Sequence, residues 1–417
     1  VPRRDEPNKM AIYATAITAF FAIAGIGVVD PILPVIGQEI GATTWQIELL
    51  FTAYVAVMAI FMIPVTIATG RFGYKKILAA GVSVVAVAAI SASFAGSIGS
   101  LAALRGLWGL GNSMFFVTAM VLLIGLARDR EWAVELYETC LGLGFALGPL
   151  IGGLLGQFSW RVPFFACGIF MIVALVVAVT RLHDPAERPA PLTVRRAFAA
   201  FRRPAFVIVS IVVATYNFVF FTVLGFGPVA LGLGIVPLGL VFTGWGAGLA
   251  VGILVIGHRL REAVGEVWTV GIALGTLLLT LVGLALTPAT WFSITMLVIA
   301  GLGMGIINAT VTDLALATGD PERRVTTGAF NMVRWGFAAP APVVSGLLAE
   351  HVSLASPFWV AAVVLAVGIA VLAVFGRVVA AAAETTTPED VAEVTPSATP
   401  DDGGVEESVR VDVLTAR

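Results

Sequence analysis

The sequence predicts an all-α membrane protein of twelve transmembrane helices arranged as two six-helix pseudo-repeats. Three observations carry that reading: the apolarity of the chain, its division into runs of spanning length, and the sorting of basic residues between alternate connections. Hydrophobic residues make up 59% of the 417 positions and charged residues 12%, with a mean hydropathy of +0.99. A water-soluble domain covers itself with about 25% charged residues, so lipid has to be part of this chain's solvent.

Runs of about 18 to 26 apolar residues suit a hydrocarbon core about 30 Å thick. They place helices 1 to 6 near 10–34, 45–69, 77–97, 101–126, 134–157 and 163–181, and helices 7 to 12 near 205–227, 235–257, 266–287, 291–316, 325–348 and 355–377. Such unbroken runs exclude the polar–apolar alternation of an outer-membrane barrel. The stretch Val1–Lys9 is polar, and the first run is long enough to stay as a span rather than be a cleaved signal. Cys140 and Cys167 both lie in apolar stretches and supply no disulfide framework.

Lysine and arginine are retained on the cytoplasmic side of a membrane. With the N-terminus inside, 21 of the 24 basic residues fall on that side, in the N-terminal segment, the even-to-odd connections, the central stretch and the C-terminal segment. Arg161 alone lies in an external connection, and Arg105 and Arg334 lie within helices. A wrong number of spans would scramble this pattern. The expectation is therefore a multi-pass protein of the cell (inner or plasma) membrane with both termini cytoplasmic.

The longest polar interruption, rich in Pro and Arg, runs from about Arg181 to Arg203 and divides the spans six and six. The expected domains are residues 1–182, a cytoplasmic linker at 183–204 that includes a short amphipathic helix, residues 205–380, and a disordered tail at 381–417. From Glu384 onward nine acidic residues face two basic ones, a composition that cannot bury a core. Registering Pro149 of helix 5 on Pro342 of helix 11 sets Gly148, Gly152 and Gly153 opposite Ala341, Ser345 and Gly346, 193 positions later. A six-helix unit used twice is a common plan of secondary transporters, with the substrate site between the units near mid-membrane.

Three segments carry further information. Helix 5 holds Gly144-x-x-x-Gly148-Pro149-x-x-Gly152-Gly153. Glycines at four-residue spacing form a smooth ridge that lets another backbone approach closely, and Pro149 removes a backbone hydrogen bond and bends the helix. Helix 4 holds Arg105-x-x-x-Gly109-x-Gly111. An arginine within a span costs at least about 2.5–3.5 kcal/mol and faces a cavity or an opposite charge. Asp30, in Asp30-Pro31-Ile32-Leu33-Pro34, lies about 30 Å along helix 1 at about 1.5 Å per residue. That depth places both in the outer half, so Asp30 is the expected partner of Arg105. The third segment, Gly70-Arg71-Phe72-Gly73-Tyr74-Lys75-Lys76, is expected to be the loop between helices 2 and 3.

These segments resemble the major facilitator superfamily, and specifically its twelve-helix drug:proton antiporter branch, over about residues 10–377. Helix 5 fits the antiporter pattern GxxxGPxxGG at every fixed position. Helix 4 is similar to the family's arginine motif, with Trp108 where a polar residue is common. In the loop motif GxLaDRxGRKxxL, Arg71, Gly73 and Lys75 match, whereas Gly70 replaces the Asp and Thr66 the leading Gly. The resemblance implies the major facilitator fold and a proton-coupled exporter of small hydrophobic or cationic compounds, with multidrug efflux and drug resistance as the expected role. It implies a monomer with no cofactor, whose partners are its substrate, protons and the bilayer.

In that frame Asp30, Arg105 and Glu138 form a candidate charge relay. Desolvation disfavours the charge on an aspartate and a nearby arginine favours it, so helix movements that change their separation change proton affinity. The alternatives are a static, packing-only salt bridge and an Asp30 that simply reaches external water. Glu138 either binds a proton or cationic substrate, or reaches cytoplasmic water beside Asp129 and Glu131. Asn112, Tyr216, Asn217, Asn331 and Arg334 are candidate cavity residues, and each amide or hydroxyl serves equally well as an interhelical hydrogen bond. Asp313 is expected to be solvated near a helix end. No phosphate-binding loop of the GxxxxGK[ST] type occurs. His183, His258 and His351 lack metal-ligand spacing, and no basic–aromatic surface for nucleic acid is present. An enzyme is therefore not expected. The alternatives are a carrier for a metabolite, sugar or ion working by symport or uniport, and a membrane-embedded sensor.

Overall fold

The computed structural model describes residues 9–126, 130–182, 193–287, 289–321 and 323–384. Among them every regular element is helical. In chain order these are α1 (Lys9–Gly27), α2 (Leu33–Ile40), α3 (Thr44–Phe72), α4 (Tyr74–Ser93), α5 (Ile98–Leu126), α6 (Arg130–Gly156), α7 (Arg161–Arg181), α8 (Val194–Ala197), α9 (Pro204–Leu231), α10 (Ile235–Val264), α11 (Glu266–Leu286), α12 (Thr290–Thr318), α13 (Val325–His351) and α14 (Ser356–Glu384). Ten are long and apolar enough to cross a membrane, and α1 and α6 carry shorter apolar stretches, Thr15–Gly27 and Gly142–Gly156. The outward surface is apolar too: Leu279 is 72% exposed and Val374 70%. Exposed apolar faces of this extent suit hydrocarbon and not water. Trp268 and Trp291, exposed near the starts of α11 and α12, sit where aromatic belts form at a bilayer interface.

The helix limits differ from expectation in four places, each with a local cause. The first expected helix does not continue to residue 34. It stops at Gly27, passes through a 3-10 turn at Asp30–Ile32, and restarts as α2. Pro31 and Pro34 each lack the N–H that an unbroken helix would need. The Gly70–Lys76 segment is not a loop: Arg71 is in the last turn of α3, Lys75 in the first of α4, and Gly73 alone connects them. Arg259 and Arg261 likewise lie on the final turns of α10, which runs past residue 257 through a π-helical segment at Gly252–Ile256. The final helix continues through Ala380–Ala383 to Glu384, alanine being the best helix former. The remainder of the expected tail lies outside the described residues. So do residues 183–192 of the expected linker; beyond them one helical turn, α8, is capped by the Thr193 hydroxyl accepting from the Arg196 amide.

Helix α3 opens with a capping box, in which the Thr43 amide donates to Gln46 Oε1 at 3.0 Å. Gly73 adopts φ 84°, ψ 160°, and Gly265, which alone joins α10 to α11, adopts φ 82°, ψ 166°. Only glycine populates that region without strain. Gly41 and Gly232 both have left-handed helix-ending conformations. The two pairs lie 191 and 192 positions apart. Changing Gly73 to Ala should cost about 1–3 kcal/mol, read as a lowered unfolding temperature of the detergent-purified protein. An unchanged temperature would contradict the strained backbone.

Helices α3, α4, α5, α6 and α7 pack with α1 in one group, and α9 to α14 in another. Two crossings join the groups, α3 with α13 and α6 with α10. Both are antiparallel: Trp45 meets Gly346 and Thr66 approaches Gly328 in the first, and Ala146 meets Gly246 and Gly153 meets Ile235 in the second. The start of α3, the ends of α6 and α13 and the start of α10 therefore share one side of the molecule with α2. Glu39 of α2 accepts from Trp160 Nε1 at 2.8 Å and pairs with Arg161 at 3.6 Å, extending that side to α7. The opposite side carries α8, whose Arg196 makes two 2.9 Å bonds to Asp320. There too Arg261 pairs with Asp313, which is exposed near its helix end as expected and also bound by a neighbouring helix.

Candidate functional site

Helix α6 acts as a two-sided spacer. On one side Gly144, Gly148 and Gly152 lie against the backbone of α1: a β-carbon on Gly144 would come within 2.8 Å of the Phe20 carbonyl oxygen, and one on Gly148 within 2.7 Å of Ala24's. At Gly152 the Val28 carbonyl is closer still. The Pro149 ring fits over Gly27, whose β-carbon would meet Pro149 Cδ at 2.9 Å. The other side faces the second group of helices. A β-carbon on Gly153 would lie 3.3 Å from Gly239 Cα, and one on Gly239 2.9 Å from the Pro149 carbonyl oxygen. All five positions of the glycine-proline motif thus serve close helix approach, on two neighbours at once.

Arg105, on α5, is fully buried. Its guanidinium carbon lies 4.6 Å from the Tyr54 ring centre, 5.0 Å from Trp108 and 5.9 Å from Phe51, within reach of cation–π attraction. A turn or two further along α5, Asn112 Nδ2 donates to Tyr54 Oη at 2.5 Å and to the Ala22 carbonyl at 3.4 Å. Asn112 therefore ties α5 to α3 and α1. Asp30 begins the 3-10 turn after α1, and Glu138 is on α6; the side chains of both lie outside the described residues.

In the second group, Tyr216 is fully buried and its hydroxyl donates to the Met304 carbonyl at 2.9 Å, joining α9 to α12. Asn217 donates back to Val213 of its own helix at 2.9 Å. Arg334 Nη2 donates to Asn308 Oδ1 at 2.8 Å, and its guanidinium lies 5.4 Å from the Trp335 ring. Asn331, a turn before Trp335, is half-buried. Arg71 is exposed and Lys75 half-buried, while Gly73 makes the turn described above.

What the sequence did not single out is a chain of rings spanning both groups. Phe116 of α5 stacks on Trp335 of α13 (6.1 Å), and Trp335 meets Phe221 of α9 (5.8 Å). Phe221 adjoins Phe220 (5.3 Å), which meets Trp245 of α10 (5.4 Å) and Phe145 of α6 (6.2 Å). Each ring sits near the middle of its helix. Trp245 and Trp335 carry no distinguishing motif in the sequence, because only the two crossings bring them together. Apolar, polarisable rings with Arg334, Asn308 and Asn112 nearby supply the mixture of aromatic walls and few polar groups found in small-molecule sites.

Membrane-length helices in two groups, backbone-close crossings and an aromatic junction at mid-helix suit a membrane carrier of small molecules. The chain belongs to the Major Facilitator Superfamily, whose family model matches residues 15–341. It is 34% identical over 367 residues to the multidrug efflux protein YfmO of Bacillus subtilis (strain 168), covering 87% of this chain and 92% of that one. It is 25% identical over 384 residues to multidrug resistance protein 1 of the same organism, covering 88% and 96%. Among solved structures, the nucleoside transporter NupG superposes with a TM-score of 0.75 at 14% identity, over 87% of this chain and 99% of that one. A bacterial homologue of the human lysosomal transporter Spinster, inward-facing and occupied, gives 0.71 at 18% identity, over 92% and 98%. These two likenesses speak to the fold.

Proposed function

We propose that the chain is a proton-coupled antiporter that exports small hydrophobic or cationic compounds by alternating access. Twelve spans, counting α1 and α6, form halves at 1–182 and 205–380, joined by a linker at 183–204 and followed by an acidic tail at 381–417. The paired glycines at matched spacing support two related halves. The α8 side is cytoplasmic, in keeping with its basic residues. The protein works as a monomer.

One observation carries the substrate class: the ring chain Phe116, Trp335, Phe221, Phe220, Trp245 and Phe145 crosses from one half to the other at mid-depth. A compound held there touches both halves and so responds to their tilt. Rings bind flat apolar and cationic compounds without demanding one hydrogen-bond pattern, and the relatives named for multidrug efflux point the same way. Proton coupling is assigned to Asp30 and Arg105, with Glu138 as a further carboxyl, because movement between the buried Arg105 and a carboxyl alters the latter's hold on its proton.

Dye accumulation in inside-out vesicles, with and without an uncoupler, tests this reading. The wild type should accumulate dye only while the proton gradient stands, and Asp30→Asn should reduce gradient-driven accumulation at least about 10-fold, matching about 1.4 kcal/mol. Accumulation indifferent to the uncoupler would replace the antiporter with a uniporter or another carrier.

A further inference from the structure

Among the described residues, the most deeply buried carboxyl is Glu48, on the second turn of α3. It is 0% exposed, and neither of its oxygens has a hydrogen-bond partner among the described residues. Its surroundings belong to the other group of helices. A β-carbon on Gly225, in the π-helical segment Thr222–Phe226 of α9, would come within 2.7 Å of Glu48 Oε2. One on Gly346 of α13 would lie 3.1 Å from Glu48 Cγ and 2.6 Å from Trp45 Cα. The carboxyl is thus wedged into the α3–α13 crossing, near the α2 side of the molecule.

The other crossing shows how unusual this is. Gly41 and Gly232 end related helices 191 positions apart. At that same spacing, Tyr54 presents its carbonyl to Gly109 as Trp245 does to Gly301. This register sets Glu48 opposite Gly239. At the α6–α10 crossing Gly239 meets Gly153 backbone to backbone; at the α3–α13 crossing a carboxyl stands in place of a hydrogen atom and faces Gly346. The asymmetry places an ionisable group where the fold needs only a small one.

Among the described residues, no charged group in the surroundings compensates a carboxylate there. Glu39 of α2 is held by Trp160 and Arg161. Glu350 and His351 of α13 are exposed at the helix end. Helix α9 has no charged residue, and Arg105 of α5 is lodged among the rings of Phe51, Tyr54 and Trp108. The nearby hydroxyls of Thr222 and Ser345 are engaged with carbonyls of their own helices. Burying an unpaired carboxylate costs several kcal/mol, whereas a neutral carboxyl costs far less.

We propose that Glu48 is a proton-binding site that latches the α3–α13 crossing: the α2 side closes when Glu48 carries a proton and opens when it loses it. The proton is exchanged with the medium on the α2 side, because opening that side brings the carboxyl to water. Acid on that side then favours closure, separately from any proton carried across by Asp30. This rests on the alternating-access reading above.

The test measures the separation of spin labels at Ser97 and Ser353, exposed on the α2 side in the two groups. The full chain, with Cys140→Ala and Cys167→Ala, is placed in lipid nanodiscs and titrated with pH. Raising the pH should lengthen the wild-type distance through a single transition. Glu48→Gln, shaped like the protonated form, and Glu48→Leu should both hold the short distance at every pH, while His351→Gln should keep the transition. A wild type without a transition, or a Glu48→Gln variant that retains it, overturns the latch. Infrared difference spectra give a second measure: a protonated-carboxyl band should disappear as the wild type opens and be missing in whichever substituted protein folds. With the spectra taken in an Asp30→Asn, Glu138→Gln background, which removes the other candidate carboxyls, a band that persists in that protein also overturns the assignment. Uncoupler-insensitive dye transport by the wild type overturns instead the antiporter reading, whatever the labels do.

Discussion

Gly152→Leu should leave almost no functional transporter, the largest loss expected of any single substitution in α6. The Val28 carbonyl already occupies the space a first side-chain carbon would need, and the Ala24 carbonyl is similarly placed at Gly148. Backbone atoms of α1 cannot swing aside as a flexible side chain can. Overpacking a well-filled interior costs about 1–3 kcal/mol and more where backbone must move, and here both α1 and α6 would have to shift. Gly152→Ala should already lower the unfolding temperature. Gly142, on the same helix, has no neighbouring atom within 4 Å of where an alanine methyl would sit, so Gly142→Ala should stay within about 0.5 kcal/mol of wild type. Size-exclusion recovery after detergent extraction, followed by vesicle transport, distinguishes these. Full activity in Gly152→Leu would mean that α1 and α6 are not in contact in the working protein.

The second large effect belongs to Arg105. Its replacement by Ala removes a guanidinium from beside three rings and leaves a hollow between α3 and α5, next to Trp108 of α5, whose ring packs on Gly25 of α1. Desolvated cation–π contacts are worth about 2 kcal/mol or more, so a loss of a few kcal/mol is expected. Transport should fall at least about 10-fold, corresponding to about 1.4 kcal/mol. Arg105→Lys separates charge from shape. Lysine keeps the positive charge but not the flat face that lies along aromatic rings. If charge alone matters, Lys should restore pH-dependent transport while the unfolding temperature stays depressed. Normal transport by Arg105→Ala would remove the residue from any proton-linked role.

Much of this fold is legible before any coordinates, because a span announces itself through composition over some twenty residues. Helix limits are less so. The break after Gly27 depends on how Pro31 and Pro34 act together, and hydropathy alone runs straight through both. The π-helical segments at Thr222–Phe226 and Gly252–Ile256 follow from tertiary packing and leave no mark on periodicity. At the site, the glycine ridge of α6 could be read directly, since its spacing states its geometry. Glu48 could not. One carboxyl in the second turn of a helix looks like a residue at the water boundary, and its burial is made by Gly225 and Gly346, far away in sequence. Trp245 and Trp335 pass for ordinary apolar residues until two helix crossings align them.

The single-residue links at Gly73 and Gly265 restrict how such a molecule can change shape. One residue of chain is too short to stretch or to slide, so α4 has to travel wherever the end of α3 goes, and α11 is bound to α10 in the same way. Each of the two groups of helices therefore contains a V whose arms share one pivot. Whatever slack a tilting motion needs is to be found elsewhere in the chain than at these two glycines.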